Sequence, residues 1–226
     1  MGKTMLYITS TPIGNLKDIT LRAIEVLKEV DLIAAEDTRH TRILTKHYDI
    51  DTPLTSYFEH NKFKKSEYLL KVLQEGKSVA LVTDAGTPGI SDPGYRLIKL
   101  AQENNIPMTV VPGACALVAG LSLSGLPTDS FIFEGFLPNK SSARRKNLES
   151  LKEEKRTIIF YESPHRITKA LKDIEEVLGN PIVACARELT KKFEELRKGS
   201  ASELYEHFSQ TKPKGEFVLM VNLNCE

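Results

Sequence analysis

Residues 79–98 read VALVTDAGTPGISDPGYRLI: an apolar run reaches Asp84, passes through a loop holding Gly86, Pro88 and Gly89, and gives way to a helical pattern after Asp92-Pro93. In open α/β sheets, ligands sit beyond the carboxyl ends of strands, where the connecting loops bring backbone close to them. Gly86 and Gly89 have no Cβ to obstruct such an approach, Pro88 stiffens the loop, and Asp84 offers a carboxylate to hydroxyls or to a cation. The same residues also suit a plain strand-to-helix turn capped by Asp92, so this loop alone leaves both uses open. Two further corners are built alike: Pro12, Gly14 and Asn15 after the apolar run 5–10, and Pro112-Gly113 after the run 107–111. Three small-residue corners at one sheet edge predict a shaped ligand pocket. Neither GxGxxG nor GxxxxGKS/T occurs, so the ligand is not expected to be held by its phosphates.

Carboxylates that could act as bases are numerous. Glu36 and Asp37 follow a short apolar run, but Arg39 and Arg42 are near enough in sequence to make the group an ion-pair cluster instead. Glu162, beside Tyr161, either serves a site or caps the next helix. His60 and His165 lie in loops and serve equally well as surface residues. From Asn139 to Arg156 there are seven Lys/Arg against three Glu, a plausible phosphate-facing patch or a solvated helix face. Tyr57, Phe136 and Tyr161 could stack on an extruded base. No RRM, KH or OB signature accompanies them. Cys115, Cys185 and Cys225 are far apart and form no CxxC, so neither a disulfide framework nor a cysteine-rich zinc site is expected, and no metal is.

These residues need elements to position them. The chain has 226 residues, 41% hydrophobic and 27% charged, with a net charge of +1, the profile of a soluble globular protein, and its three scattered cysteines suit a reducing cytoplasm. The apolar segment 108–126 is broken by Pro112, Gly113 and Gly120 and makes a poor membrane span, while Met1-Gly2 lacks the Ser/Thr of an acylation signal where Leu6 stands. Strand-like runs at 5–10, 31–36, 78–84 and 107–113 alternate with helical patterns at 18–30, 66–76 and 93–104, Asp18 and Asp92 reading as caps. This alternation predicts a mostly parallel sheet covered by helices. After a small-residue segment at 114–127, five more strand candidates with helices between them make a second α/β unit. The expected architecture is therefore α/β with two domains, 1–113 and 114–226, and a ligand cleft between them.

Six stretches carry a resemblance: LYITSTPIGNLKDITLRAIEVLKEVDLIAAEDTRHT, LVTDAGTPGISDPGYRLI, SGLPTDSFIFEGFLP, FYESPHR, ARELTKKFEE and KGEFVLMV. In this order they closely resemble the bacterial ribosomal small-subunit methyltransferase I family of the tetrapyrrole methylase superfamily, a class III methyltransferase fold, over residues 5–223. The resemblance implies S-adenosylmethionine-dependent 2′-O-ribose methylation of a cytidine in the decoding region of 16S ribosomal RNA. It also implies a cytoplasmic homodimer acting on the 30S subunit, with no membrane. Carried over to this sequence, it implies cofactor contacts at Pro12, at Asp84, Ala85 and Gly86, at Ala114, Cys115 and Ala116, at Phe160, Tyr161 and Glu162, at Arg187, Glu188 and Leu189, and at Lys214 and Gly215. This chain has Ala114-Cys115 where the family often reads Pro-Ser, so backbone rather than a hydroxyl serves there. Glu36, Asp37 and Glu162 are the catalytic candidates, and Arg39, Arg144, Arg145, Lys146, Arg166 and Lys191 the expected RNA contacts. The rival readings are a tetrapyrrole C-methyltransferase, disfavoured by TPIGNL where that branch carries a Gly-rich opening, and a non-catalytic RNA-binding assembly factor.

Overall fold

Short apolar runs become strands wherever alternate residues can be buried on opposite faces, and the first half of the chain has four such runs and one shorter polar strand, LTS, that the sequence reading did not mark. They are β1 (Met5–Thr9), β2 (Leu32–Ala35), β3 (Leu54–Ser56), β4 (Ser78–Val82) and β5 (Met108–Val111). The computed structural model describes residues 4–210 and 213–225, so Met1-Gly2 lies outside the described residues. The strands form one sheet in the order β3-β2-β4-β1-β5, and every pairing in it is parallel. Parallel strands need crossovers, supplied here by α1 (Leu21–Glu29), α2 (Thr38–His47), α3 (Lys62–Gln74) and α4 (Tyr95–Glu103). Ala80 and Val82 of β4 face the cluster holding Leu27 of α1 and Leu44 of α2, whereas Val79 and Leu81 face Leu69 of α3 and Leu97 of α4. The period of two thus buries this central strand on both sides.

Two helix starts differ from the sequence reading. Thr20, not Asp18, caps α1: its hydroxyl accepts from the Ala23 amide at 3.1 Å, because residues 16–18 are already used in a 3-10 turn. α4 begins at Tyr95 rather than at Pro93. The loop folds back there so tightly that a Cβ on Gly94 would lie 3.0 Å from the Gly89 nitrogen. The crossing leaves Asp92-Pro93 in the loop.

The second half folds as α5 (Ala116–Ser124), β6 (Phe131–Phe136), α6 (Ser141–Glu149), β7 (Thr157–Glu162), α7 (Ile167–Leu178), β8 (Ile182–Arg187), β9 (Glu195–Ser200), α8 (Ala201–Gln210) and β10 (Phe217–Asn222). Its sheet runs β6-β7-β10-β8-β9, with β6 and β7 parallel and the other pairs antiparallel. The last strand, β10, is buried along its whole length and sits at the centre. Ile158 and Phe160 of β7, Cys185 of β8 and Leu219 of β10 pack with Leu148 of α6, Ile174 of α7 and Phe208 of α8. The charged run ELRKGS is tolerated as β9 because it lies at an edge. The chain divides into two compact units, with the division between Cys115 and Ala116.

Candidate active site

In the first unit, the loops after β1, β4 and β5 meet at the carboxyl edge of the parallel sheet. Thr11 and Gly86 exchange both backbone hydrogen bonds, Thr11 N to Gly86 O at 2.9 Å and Gly86 N to Thr11 O at 3.1 Å. The Thr11 hydroxyl donates to the Thr83 carbonyl at 3.0 Å, Ser10 Oγ lies 2.9 Å from Thr87 Oγ1, and Thr87 Oγ1 donates to the Ala114 carbonyl at 3.3 Å. A Cβ at Gly113 would come within 2.9 Å of the Ser10 Cβ, so the third corner closes on the first only through glycine. The three corners converge as their composition predicts. Pro12 is buried, while Ala85 is exposed at the loop tip and Ala114 and Cys115 are half-buried.

Three carboxylates share this edge. Glu36 Oε2 accepts from the Thr83 hydroxyl at 2.6 Å and from the Asp84 amide at 3.3 Å, so it holds the loop after β4 in place. Asp84 Oδ1 accepts from the Asp37 amide at 3.1 Å. Burial pushes the Asp84 carboxyl above its ordinary range, and the charges of Glu36 and Asp37 add to this against the pull of the Asp37 amide and of His40. Asp37 is in the opposite state. Its carboxylate caps α2 through the Arg39 amide at 2.8 Å and grips the Arg39 guanidinium at 2.6 Å, and these hydrogen bonds hold it well below the usual carboxylate range. The ion-pair alternative therefore describes Asp37, although Arg42 makes none of these bonds.

In the second unit, the expected residues gather at one edge of the mixed sheet, because Phe217 at the start of β10 stands between Glu162 and Arg187 at the ends of β7 and β8. Tyr161 Oη accepts from the Leu117 amide in the first turn of α5 at 3.2 Å, and its ring meets Phe133 and Phe136 edge-on. Glu162 is 2% exposed; its Oε1 accepts from the Ser163 amide at 2.7 Å and the Arg166 Nε at 2.6 Å, while its Oε2 is buried without a hydrogen-bond partner. Glu188 takes a left-handed conformation, φ 49°, and its Oε1 accepts from Lys191 at 2.8 Å and from the Glu216 amide at 3.1 Å. A Cβ on Gly215, itself at φ +90°, would overlap the Glu188 side chain, so the Lys214-Gly215 turn and the Arg187-Glu188-Leu189 corner form one interlocked unit. Phe160 and Leu189 are buried, and Phe160 belongs to the core. A ligand at that strand end would meet its backbone rather than its ring.

The basic segment, expected as a phosphate-facing patch or a solvated helix face, is neither throughout. Arg144 is 4% exposed; its Nε donates to Asp173 Oδ2 at 2.7 Å and its Nη1 to the carbonyls of Pro138 and Asn139, both at 3.2 Å. Arg145 bonds Asp173 at 3.0 Å and Glu176 at 2.5 Å. α7 presents these carboxylates, which lie about thirty residues downstream and carry no local signal. Arg144 is thus a buried structural cation, whereas Lys146 is exposed. Arg166 pairs with Glu162 and Asn139, and Lys191 with Glu188 and Glu216. Tyr57 cannot stack on a base, since it is 1% exposed with its hydroxyl 3.1 Å from Ser66 Oγ. His60 and His165 are exposed.

Among the described residues, no group of three or more His, Cys, Asp or Glu is arranged to hold a metal ion. No helix among them is long and apolar enough to cross a membrane. An all-parallel unit followed by a mixed one, with glycine-closed corners at the strand ends, defines a class of methyltransferase fold: the chain belongs to the tetrapyrrole (corrin/porphyrin) methylases, whose family pattern matches residues 5–205. Among individual relatives, ribosomal RNA small subunit methyltransferase I of Synechocystis sp. is 50% identical over 218 residues, which is 96% of this chain and 78% of that protein. The protein of the same name from Thermotoga maritima is 49% identical over 222 residues, 98% of this chain and 99% of that one. Among solved structures, a cobalt precorrin-4 methyltransferase superposes with TM-score 0.74 at 17% identity, covering 98% of this chain and 97% of that one. A uroporphyrin-III C-methyltransferase of Thermus thermophilus, solved with S-adenosylhomocysteine, superposes with TM-score 0.67 at 17% identity over 98% of each chain. At that identity the shared feature is the fold.

Proposed function

We propose that this chain transfers the methyl group of S-adenosylmethionine to ribosomal RNA of the small subunit, and that the acceptor is the ribose 2′-oxygen of a cytidine in the decoding region of 16S RNA. The observation that carries this reading is the convergence of the β1, β4 and β5 corners, in a chain about half identical to small-subunit RNA methyltransferases along nearly its whole length. The enzyme works in the cytoplasm as a homodimer on the 30S subunit.

The residues present fit the cofactor. In the first unit, Pro12, Ala85, Gly86, Ala114 and Cys115 offer backbone and small side chains to it, and Asp84 offers a carboxylate oxygen to a hydroxyl. In the second unit, Ala116, the Phe160 backbone, Tyr161, the 187–189 corner and the Lys214-Gly215 turn do the same, and the partnerless Oε2 of Glu162 supplies a buried acceptor. When bound, the cofactor supplies a methyl carbon activated by a sulfonium sulfur. An in-line displacement needs the acceptor oxygen held on that axis, so positioning carries much of the rate. Of the three catalytic carboxylates expected, Glu162 is buried with its Oε1 held by the Ser163 amide and Arg166, Glu36 holds the Thr83-Asp84 loop, and Asp37 is occupied by Arg39, so alignment of the acceptor oxygen rather than a free base carries the proposed step. Arg39, with its side chain 87% exposed, and Lys146 remain on the surface to meet RNA.

The test is methylation by purified protein of 30S particles, naked 16S RNA and a reduced uroporphyrin with radiolabelled S-adenosylmethionine, followed by mass mapping of nuclease fragments. Label in the ribose of one cytidine of the particle is the expected result. Label in a base, or in the tetrapyrrole alone, refutes the reading.

A further inference from the structure

One patch of the first unit combines exposed aromatic rings with cations that the described catalytic edge does not use. Phe63 is 60% exposed, Tyr68 47% and Tyr95 73%. Arg96 lies 4.3 Å and Lys62 5.7 Å from the centroid of the Phe63 ring, and Lys65 lies 5.0 Å from that of Tyr68. Lys64 is exposed between Phe63 and Lys65, and Lys65 donates to the Thr55 hydroxyl at 2.8 Å rather than to a carboxylate. Lys62 pairs with Glu59.

The position of the patch follows from topology. α3 follows β3 and α4 follows β4 in an all-parallel sheet, so both helices begin at the carboxyl edge that carries the Asp84–Gly89 loop. Their first turns are tied together, because the Leu97 amide donates to the Tyr57 hydroxyl at 3.3 Å and that hydroxyl meets Ser66 of α3.

We propose that the N-terminal parts of α3 and α4 form a docking surface for unpaired ribosomal RNA flanking the methylated nucleotide. This rests on the ribosomal RNA reading above. Phe63, Tyr68 and Tyr95 stack on bases, and Lys62, Lys64, Lys65 and Arg96 meet phosphates. Polyanion is the occupant that the charges select: a two-fold contact of this patch with a second copy would set the same four cations against themselves. Of the patch's cations Lys62 pairs with an exposed Glu59, while in the 139–156 segment Arg144, Arg145 and Arg156 are all held by Asp173, Glu176 and Glu154. Ring faces accept any base, so the surface holds the strand without reading its sequence, and the choice of nucleotide is left to the catalytic edge.

The experiment compares three proteins: the unmodified chain, a Phe63→Ala/Tyr95→Ala variant and a Lys62→Ala/Lys64→Ala/Lys65→Ala variant. Each is titrated across a salt series into a dye-labelled single-stranded fragment of 16S RNA and into 30S particles. Calorimetry with S-adenosylmethionine, circular dichroism and light scattering run in parallel. The aromatic variant is expected to bind the fragment about tenfold or more weakly with the salt slope unchanged. The lysine variant is expected to lose up to about 2 from the slope of log affinity on log salt, at about 0.7 per lost contact. Cofactor affinity and fold stay as they were. Equal RNA affinity and slope in all three proteins overturn the surface and leave the ribosomal RNA reading standing. An unmodified chain that neither binds nor methylates ribosomal RNA overturns both. A change of oligomeric state in the aromatic variant assigns the patch to a second copy and overturns RNA docking.

Discussion

Asp84 shows how one side chain carries a functional cost. Its carboxyl is raised above the ordinary 3.8, mainly by burial and further by Glu36 and Asp37, so the folded chain holds that proton more tightly than the unfolded chain does. Ionisation therefore removes stability as pH rises from about 3.8 through the folded value, and the penalty is in full force at neutral pH. Asp84→Asn keeps an oxygen for the Asp37 amide and removes the charge. We predict a melting temperature higher by about 1–2 °C at pH 7, with no gain at pH 3, because the group is only partly buried. The same substitution should weaken S-adenosylmethionine binding about tenfold by calorimetry, since an amide is a poorer acceptor for a hydroxyl than a carboxylate. A lower melting temperature at pH 7 would refute the electrostatic account. Asp37, held down by Arg39, has no such latent charge penalty to release.

Among the elements, α6 and α7 are joined through the buried pair of Arg144 and Asp173, whose side chains are 5% and 9% exposed. Removing one partner of a buried pair leaves the other charge without compensation, which costs roughly 3–5 kcal/mol, whereas replacing both by apolar groups of similar volume is often neutral. Arg144→Ala is therefore expected to destabilise the fold by about 3 kcal/mol in urea denaturation, towards the low end because Arg145 still reaches Asp173. Arg144→Met with Asp173→Leu should recover most of that loss. A fully stable Arg144→Ala protein would show that this pair does not hold the two helices. It also follows that an alanine block over residues 144–146 tests folding before it tests RNA binding, and that Lys146 alone is the residue there to alter when RNA contact is the question.

The whole molecule consists of two units, each with its own core, and residues proposed to meet the cofactor occur in both. A ligand that binds only the folded chain stabilises it by mass action, by about 2.7 kcal/mol at a hundredfold excess over its Kd. S-adenosylmethionine at that excess should raise the melting temperature by about 5–10 °C in a chain of this size, and a chelator should leave the shift unchanged. Loss of the shift on adding EDTA would reveal a metal requirement. Two separate transitions, only one of them moved by the cofactor, would confine the binding residues to a single unit.

Composition and spacing already determine much of this protein. Period-two apolar runs that alternate with helical stripes specify the first α/β unit, and the glycines and prolines after β1, β4 and β5 mark where the three corners close on one another. Local signals were weaker for α2, whose sequence TRHTRILTKH buries only Thr41, Leu44 and Thr45, and for β9, a charged edge strand paired along its length with β8. Tertiary structure alone decided the strand orders, the central place of β10, the burial of Tyr57 and the pairing of Arg144 with Asp173. Each of these depends on contacts between residues far apart in the chain. Residue types and spacing can place a local pair such as Asp37 with Arg39, but a pair as distant in sequence as Arg144 and Asp173 is fixed only when packing removes both from water.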